Sequence, residues 1–461
     1  MSFDRTLEPQ PGAIRPFHFP ATSRSVLGNG LTTLVAARNA LPVVTLRLTV
    51  AAGATTEAGG EEGLATLAAS ALEGGTRRLS GEALAWELER LGLQLETWAT
   101  WDALHLSCTA VGEQLPAALA LLAEVARAPA FPDGEVTRMR GEHLAELLQR
   151  QVEPRALADD MASRFLFSEA SPYARPLLGR RTALEQLDGR RIRDFHERGF
   201  TPGASALILA GDVDPDTAVA LIEKSFGDWT GAVPQSPDVP AEPRLRDLNL
   251  QLVDRPGAVQ SELRIGHVGV ARSHPDYFSL LVMNAILGGA FTSRLNLCLR
   301  ERHGFTYGVR SAFAFRRAPG PFIIQTAVGT EVTVHAIQET LRELEQLLND
   351  GPTDAEVSSA RDYLAGIFPL ELQTTEQLAG KLAELVVHDL PDDYFEHYRA
   401  RILAVTAGDV LRVARDHVRP AELTIVVVGE ADALEPELAA AGLAPVVRHA
   451  AETAAAGPAR L

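Results

Sequence analysis

An internal repeat is the feature that most constrains the fold of this chain. The segment FTPGASALILAGDVD aligns with VRPAELTIVVVGEAD 218 residues later, with Pro, Gly and Asp at equivalent positions. Three more pairs of segments recur in the same order: Leu46–Leu48 with Leu263–Ile265, Glu73–Gly75 with Leu287–Gly289, and Asp133–Val136 with Asp354–Val357. All offsets lie between 214 and 221 residues and differ only by loop-sized amounts. The chain is therefore expected to consist of two similar halves.

The order of elements in each half predicts an α+β fold. Strands, a helix, strands, several helices and a buried strand follow one another, with period-two alternation over residues 93–111. An antiparallel or mixed sheet with helices packed on one face fits that order. We assign residues 20–230 to a first domain, 231–246 to a Pro-rich linker, 247–445 to a second domain, and 446–461 to a flexible tail.

Bulk composition excludes several classes of protein. With 46% hydrophobic and 22% charged residues, the chain is typical of soluble globular proteins, and it has no long apolar run. The N-terminal residues have no apolar core of a signal peptide, which favours a cytoplasmic location. A net charge of −17 disfavours binding to nucleic acid and anionic membranes. Cys108 and Cys298 lack a C-x-x-C pairing and are expected to be buried free thiols.

The segment Gly288–Arg310 contains the candidate binding residues. Its helical part breaks at His303–Gly304 and is followed by a strand beginning near Tyr307, so Arg300 and Tyr307 flank the turn. A guanidinium and a phenol placed there suit a backbone carbonyl or a developing oxyanion. On spacing alone, the alternative is structural: Arg300 pairs with a neighbouring Glu, and Tyr307 packs on an apolar face. Leu295, Leu299 and Arg302 are expected to share one helical face.

With two α+β halves and the segment GGAFTSRLNLCLRERHGFTYGVRSAF, the chain resembles the pitrilysin and mitochondrial-processing-peptidase family of zinc peptidases, the inverzincins. The resemblance covers roughly residues 27–442. It implies an H-x-x-E-H helix in the first half, in which two His bind zinc and the Glu activates water, with a later Glu as the third protein ligand. It also implies that Arg300 and Tyr307 bind the main chain of the substrate beside the metal.

The metal motif itself is missing. The family's helix is similar to GLAHFLEHMLFKGT, whereas this chain has GLATLAASALEGGT. Thr66 and Ser70 replace the two His, and Ala69 replaces the Glu. Because these side chains supply neither imidazole nor carboxylate, we expect no metal site in this chain. Glu146 stands where the resemblance places the third ligand, so it is a possible orphan ligand; a solvated or salt-bridged Glu is the alternative.

Other motifs carry less information. His143 and Glu146 form H-x-x-E on a different helix, but the second His of a three-ligand site is lacking. The sequence has no H-E-x-x-H, G-x-S-x-G, P-loop or G-x-G-x-x-G context, so a serine or cysteine hydrolase is unsupported. Trp98 and Trp101 are expected in a core or interface, with peptide stacking as the alternative. The Gly288-Gly289 pair permits close approach of a helix or substrate, or simply turns the chain at a helix start.

Because it has the Arg/Tyr pair and lacks the metal motif, the chain resembles the non-catalytic subunit of a heterodimeric zinc metallopeptidase of this family. The resemblance implies a paralogous partner subunit with H-x-x-E-H, zinc in that partner, no cofactor in this chain, and a peptide substrate. Two alternatives stay open. One is a pseudo-peptidase homodimer acting as a structural or assembly protein. The other is an active peptidase with an unconventional metal site that uses Glu146 and His143.

Overall fold

A computed structural model describes residue 12, residues 14–235 and residues 237–450. The first half contains a six-stranded mixed sheet with the spatial order β1-β2-β6-β3-β5-β4. Pairing is antiparallel except between β2 and β6, which are parallel. The strands are β1 Thr22–Val26, β2 Thr32–Ala37, β3 Val43–Val50, β4 Glu96–Ala99, β5 Leu104–Val111 and β6 Ser205–Gly211.

The second half repeats this sheet. Its six strands have the order β12-β7-β11-β8-β10-β9, so β7, β11, β8, β10 and β9 take the places of β2, β6, β3, β5 and β4. The predicted fold class, two similar α+β halves with mixed sheets, is confirmed. The strands are β7 Asn249–Asp254, β8 Gln260–Val268, β9 Val309–Phe313, β10 Pro321–Gly329, β11 Thr424–Gly429 and β12 Val446–Ala450.

The outermost strand breaks the repeat. In the first sheet β1 precedes β2 and pairs with it antiparallel, whereas β12 comes from the far end of the chain and runs parallel to β7. The prediction of a flexible tail over 446–461 is therefore wrong for Val446–Ala450. A sheet edge presents unpaired backbone groups, and this short strand covers one such edge. Residues 451–461, the rest of that predicted tail, lie outside the described residues.

Fifteen α-helices and two π-helical segments, Ala285–Gly289 and Asn296–Arg302, occur among the described residues. Those of the first half are α1 Leu64–Ala71, α2 Gly81–Arg90, α3 Leu115–Arg127, α4 Asp133–Val152, α5 Pro154–Leu166, α6 Arg181–Leu184, α7 Gly189–Gly199 and α8 Pro215–Phe226. Those of the second half are α9 Tyr277–Asn284, α10 Thr333–Asp350, α11 Asp354–Ile367, α12 Thr375–Val387, α13 Tyr398–Ala404, α14 Ala407–His417 and α15 Ala431–Ala441.

Two helices, α5 and α12, are exchanged between the halves. Each spans 13 residues. Helix α5 packs on β8 and β11 of the second sheet, and α12 packs on β3 and β6 of the first. Each sheet is thus covered by its own helices on one face and by a helix of the other half on the opposite face. This explains why β6 and β11 are buried along their whole length and are apolar without alternation.

The helix starts follow local sequence signals. Thr374 and Gln377 form a capping box at the start of α12. Glu153 accepts backbone hydrogen bonds at the start of α5, where Pro154 occupies the first helical position. In the described part of the chain, no helix combines the length and apolarity needed to cross a membrane.

The connection between the halves runs against the end of α5. The Ser168 N–H donates to the Glu242 carbonyl at 2.9 Å, and the Arg244 N–H donates to the Leu166 carbonyl at 3.0 Å. These contacts anchor the Pro-rich segment beside the exchanged helix. The domain boundaries assigned from the sequence stay a prediction.

Candidate substrate-binding site

Helix α1 stands where the metal-binding motif is expected. Six of its eight residues are buried, and Ala69 is only 1% exposed, so its methyl group is part of the first-half core. Gly63 precedes the helix with a φ of 94°, a conformation that favours glycine. The side-chain oxygens of the buried Glu57 accept the Gly63 N–H at 3.3 Å and the Ala65 N–H at 2.8 Å, which fixes the helix start.

The hydroxyls of α1 are bound locally. Thr66 Oγ1 donates to the Leu177 carbonyl at 2.7 Å. Ser70 Oγ lies 3.3 Å from the Thr66 carbonyl and 3.1 Å from His143 Nε2 on α4. A hydroxyl beside an imidazole can act as a nucleophile and base, but the base needs a third group to orient it. Among the described residues His143 Nδ1 has no hydrogen-bond partner, so this geometry does not support a hydrolase.

Glu146 is exposed on α4, away from any recognisable ligand set. Two groups of His, Cys, Asp and Glu in the described part of the chain are close enough to share an ion, and both lie in the second half. Neither includes His143 or Glu146. Burial, opposed by Glu146 and Glu142, lowers the pKa of His143. The groups around α1 therefore do not form the imidazole and carboxylate set that zinc requires.

The helix that carries Arg300 is a π-helix rather than a regular α-helix, and Tyr307 lies on the turn that follows it. In Asn296–Arg302 the backbone bonds span five residues, as when the His303 N–H donates to the Cys298 carbonyl at 3.1 Å. Leu295 and Leu299 are buried as expected, whereas Arg302 is exposed. The expectation that Arg302 shares their face is wrong because the wider π turn rotates it outward.

Arg300 and Tyr307 have different surroundings. The Arg300 guanidinium lies 4.3 Å from the centre of the Phe291 ring, and its Nε is 3.6 Å from Glu301. Tyr307 is 96% exposed, while Val309 and Phe313 are buried. The structural alternative is thus realised in part for Arg300 and is wrong for Tyr307. The strand begins at Val309, two residues later than expected, and leaves Tyr307 on the preceding turn.

A cavity of about 660 Å³ opens beside this turn. Tyr307, Gly288, Gly289 and Phe291 line it, and Arg300 reaches it only through its contact with Phe291. The Gly pair ends the π-helical segment after α9 and does not start a helix. A Cβ on Gly288 would lie 2.6 Å from Ser311 Oγ, so this glycine permits close packing of the segment on β9.

Sequence reasoning missed the residue that holds the turn, Asn296. Its side-chain amide donates to the Val309 carbonyl at 2.9 Å and accepts the Val309 N–H at 3.1 Å. Thr326 on β10 adds hydrogen bonds to Thr306 Oγ1 and to the Gly308 carbonyl, both at 3.0 Å. Tyr307 is therefore an exposed side chain on a turn fixed from both sides.

Comparisons with known proteins place this geometry in a family. Residues 33–180 match the family model described as insulinase, peptidase family M16, and residues 186–364 match the model described as peptidase M16 inactive domain. Together the two matches cover most of the chain.

The chain belongs to the M16 peptidase family.

Similar proteins of this family span nearly the whole chain. An uncharacterized zinc protease of Mycobacterium bovis is 27% identical over 402 residues, covering 86% of this chain and 90% of that protein. The β subunit of the mitochondrial-processing peptidase of Lentinula edodes is 23% identical over 440 residues, covering 90% and 91%. A crystal structure of a peptidase M16 inactive domain from Pseudomonas fluorescens superposes with a TM-score of 0.83 at 25% identity, covering 89% and 98%.

Membership of the M16 family implies a zinc ion, and the residues present do not fit one. Position by position, the first half has Thr66, Ala69 and Ser70 where the family motif has two imidazoles and a carboxylate. The hydroxyls make the short local contacts described above, and Ala69 is packed in the core. This M16 chain is accordingly a peptidase-like protein of the inactive type.

Proposed function

We propose that this chain is the non-catalytic, substrate-binding subunit of a heterodimeric zinc metallopeptidase. One observation carries the proposal: a tyrosine that is almost fully exposed stands on a rigid turn at the mouth of a cavity, while α1 lacks every motif residue for metal. Hydrogen bonds from Asn296 and Thr326 hold the turn, and binding residues are often presented in this way, on loops held by a rigid scaffold. The relative named as a β subunit of a peptidase supports a subunit role.

In this proposal the partner is a paralogous M16 subunit with an intact H-x-x-E-H motif, which binds zinc. Tyr307 donates its phenolic proton to the carbonyl of the bound peptide. Arg300, released from its weak contact with Glu301, adds a planar fork of donors. Both groups bind and orient the main chain and supply no metal ligand. The exposed phenol needs no rearrangement of its turn to reach a peptide, whereas Arg300 must leave the Phe291 ring.

The test uses purified subunits, alone and mixed, with peptide hydrolysis as the readout. Hydrolysis by the mixture alone is the expected result. In the mixture, Tyr307→Phe and Arg300→Ala should each reduce kcat/KM by about ten- to a thousandfold, the range for loss of one oxyanion donor. The matched controls are Tyr363→Phe, which alters another tyrosine of the same cavity, and Arg302→Ala, which alters an exposed neighbouring arginine.

Wild-type rates in both variant mixtures would refute the role of the pair. A mixture that assembles but stays inactive, together with homodimers of this chain, would favour the structural or assembly role instead. Hydrolysis by the isolated chain would show that a metal site has been missed, and Glu146 and His143 would then be the residues to replace.

A further inference from the structure

Each sheet of the molecule contains an arginine on its central antiparallel strand, facing the exchanged helix. In the second half this residue is Arg264 on β8, which is 1% exposed. Its Nε donates to Asp159 of α5 at 2.6 Å, and its Nη1 donates to Glu262 at 2.9 Å. The charge is thus balanced by two carboxylates, one from the exchanged helix and one from the same strand.

The equivalent arginine of the first half is Arg47 on β3, and it lacks both partners. The repeat places Gly380 of α12 at the position of Asp159, and Thr45 at the position of Glu262. A Cβ on Gly380 would lie 3.1 Å from Arg47 Nη1, so the glycine leaves open the space beside Arg47 where its counterpart supplies a carboxylate. The first half has kept the guanidinium but has no carboxylate at either of these two equivalent positions. Burial lowers the pKa of Arg47, and the charges of Glu96 and Glu376 oppose this only in part.

Arg47 faces a cavity of about 380 Å³ between the two halves. Four buried nitrogen atoms on the walls of this cavity have no hydrogen-bond partner among the described residues: Arg47 Nε, Trp101 Nε1, Arg316 Nη1 and His388 Nδ1. Arg316 is 8% exposed and lies over the rings of Trp101 and Tyr173, at 3.5 and 4.4 Å from their centres. Buried polar atoms without protein partners are rare, and a group of four around one cavity calls for an ordered water, an ion or a ligand to satisfy them.

The carboxylates on the cavity wall are already engaged. Asp102 accepts the Tyr173 hydroxyl at 2.9 Å and the Arg317 N–H at 3.0 Å. Glu384 accepts Lys381 Nζ at 3.1 Å. Burial keeps the two histidines on the wall neutral, because it lowers the pKa of His105 to about 3 and that of His388 to about 4. Two guanidinium groups and an indole N–H therefore remain as donors.

We propose that this cavity binds a small anion, a carboxylate or phosphate group on a flat apolar body. Arginine forks match both oxyanions geometrically. The guanidinium of Arg47 lies 5.1 Å from the centre of the Trp98 ring, and Trp98, Trp101 and Phe315 give the cavity aromatic walls. A volume of about 380 Å³ admits a molecule of one or two rings. This site is separate from the Tyr307 cavity and does not depend on assembly with a partner.

Titration calorimetry on the full chain tests the proposal, with sodium benzoate and inorganic phosphate as probes. Saturable binding of at least one probe is expected, and the preferred probe identifies the anionic group. Arg47→Met and Gly380→Asp should each weaken binding at least tenfold. The second change supplies the carboxylate that Arg264 has in the other half, so it neutralises Arg47 without removing it.

Two controls match the changes in charge. Lys224→Met removes an exposed cation elsewhere, and Gly141→Asp adds a carboxylate at an exposed helical glycine with open space around it. Both should bind the probe within twofold of wild type. The proposal would be overturned if wild type showed no saturable binding, or if Arg47→Met and Gly380→Asp bound the probe as tightly as wild type. It would also be overturned if the two controls weakened binding as much as the two test variants. If Arg47→Met fails to fold, binding by Gly380→Asp alone tests the proposal.

Discussion

Replacing Asn296 with Ala tests whether one side chain holds the Tyr307 turn. The amide of Asn296 satisfies both backbone groups of Val309, a buried residue at the start of β9. Alanine would leave the N–H and the C=O of Val309 without partners. An unsatisfied buried polar group costs about 1–3 kcal/mol. Water can enter from the exposed turn at Thr306–Gly308, so the local loss should lie near the lower end, at about 2–4 kcal/mol for the two groups.

Hydrogen exchange followed by mass spectrometry is the suitable assay. All four tryptophans lie in the first half, so tryptophan fluorescence reports poorly on β9. A local loss of 2–4 kcal/mol corresponds to exchange about thirty- to a thousandfold faster over residues 309–313, since each 1.4 kcal/mol is tenfold. Peptides from the first sheet should exchange as in wild type.

Asn349→Ala is the matched control, because it truncates an exposed asparagine at the end of α10. It should leave exchange over residues 309–313 unchanged. Unchanged exchange in Asn296→Ala as well would show that β9 is held by its pairing with β10 alone. The reasoning about the turn would then be refuted, and with it the view that Tyr307 is held in a fixed position.

Two further predictions concern buried charges. Burial raises the pKa of Glu57 to about 8, so the folded state favours the protonated carboxyl; the resulting stability is present below the ordinary pKa of Glu and is lost as the pH rises through about 8. The thermal midpoint of wild type should therefore fall relative to that of Glu57→Gln between pH 5 and 9, and parallel pH profiles would contradict this. Arg264→Met should destabilise the second half by about 3 kcal/mol, the low end for a broken buried ion pair, because Glu262 is left unpaired with little access to water, whereas Asp159 is half exposed and regains water. Hydrogen exchange of β8 peptides measures this loss, and a change below about 1 kcal/mol would contradict it.

The sequence predicted the sheets well because a buried strand can be recognised from the local order of its apolar residues. Strands β6 and β11 are both apolar runs that end at a glycine, and they recur at a fixed offset. A correct assignment of the strands in one half therefore also predicted the strands of the other half. The loss of the metal motif could also be recognised from the sequence, because the ability of a residue to bind zinc depends on its side-chain type. Tyr307 could be singled out by its spacing from Arg300, although spacing alone did not decide whether its ring was buried.

What the sequence could not predict depends on contacts between distant segments. The apolar face of α5 shows that the helix packs on something, but nothing local shows that its partner is the sheet of the other half. The role of Asn296 depends on a strand that starts 13 residues later. Strand β12 has two valines in an Ala-rich context, and only the free edge of β7 makes it a strand.

Helix α1 shows how the first half can lose a metal motif and keep its fold. The family's metal site places two imidazoles and a carboxylate on this helix, and the binding of the ion contributes to folding. Here the replacements remove the need for that contribution: Ala69 packs in the core, and Thr66 and Ser70 make hydrogen bonds within the half. The helix start is fixed by Glu57 and by the left-handed Gly63, neither of which involves an ion. The first half is therefore expected to fold without zinc, so a chelator should leave its thermal midpoint unchanged.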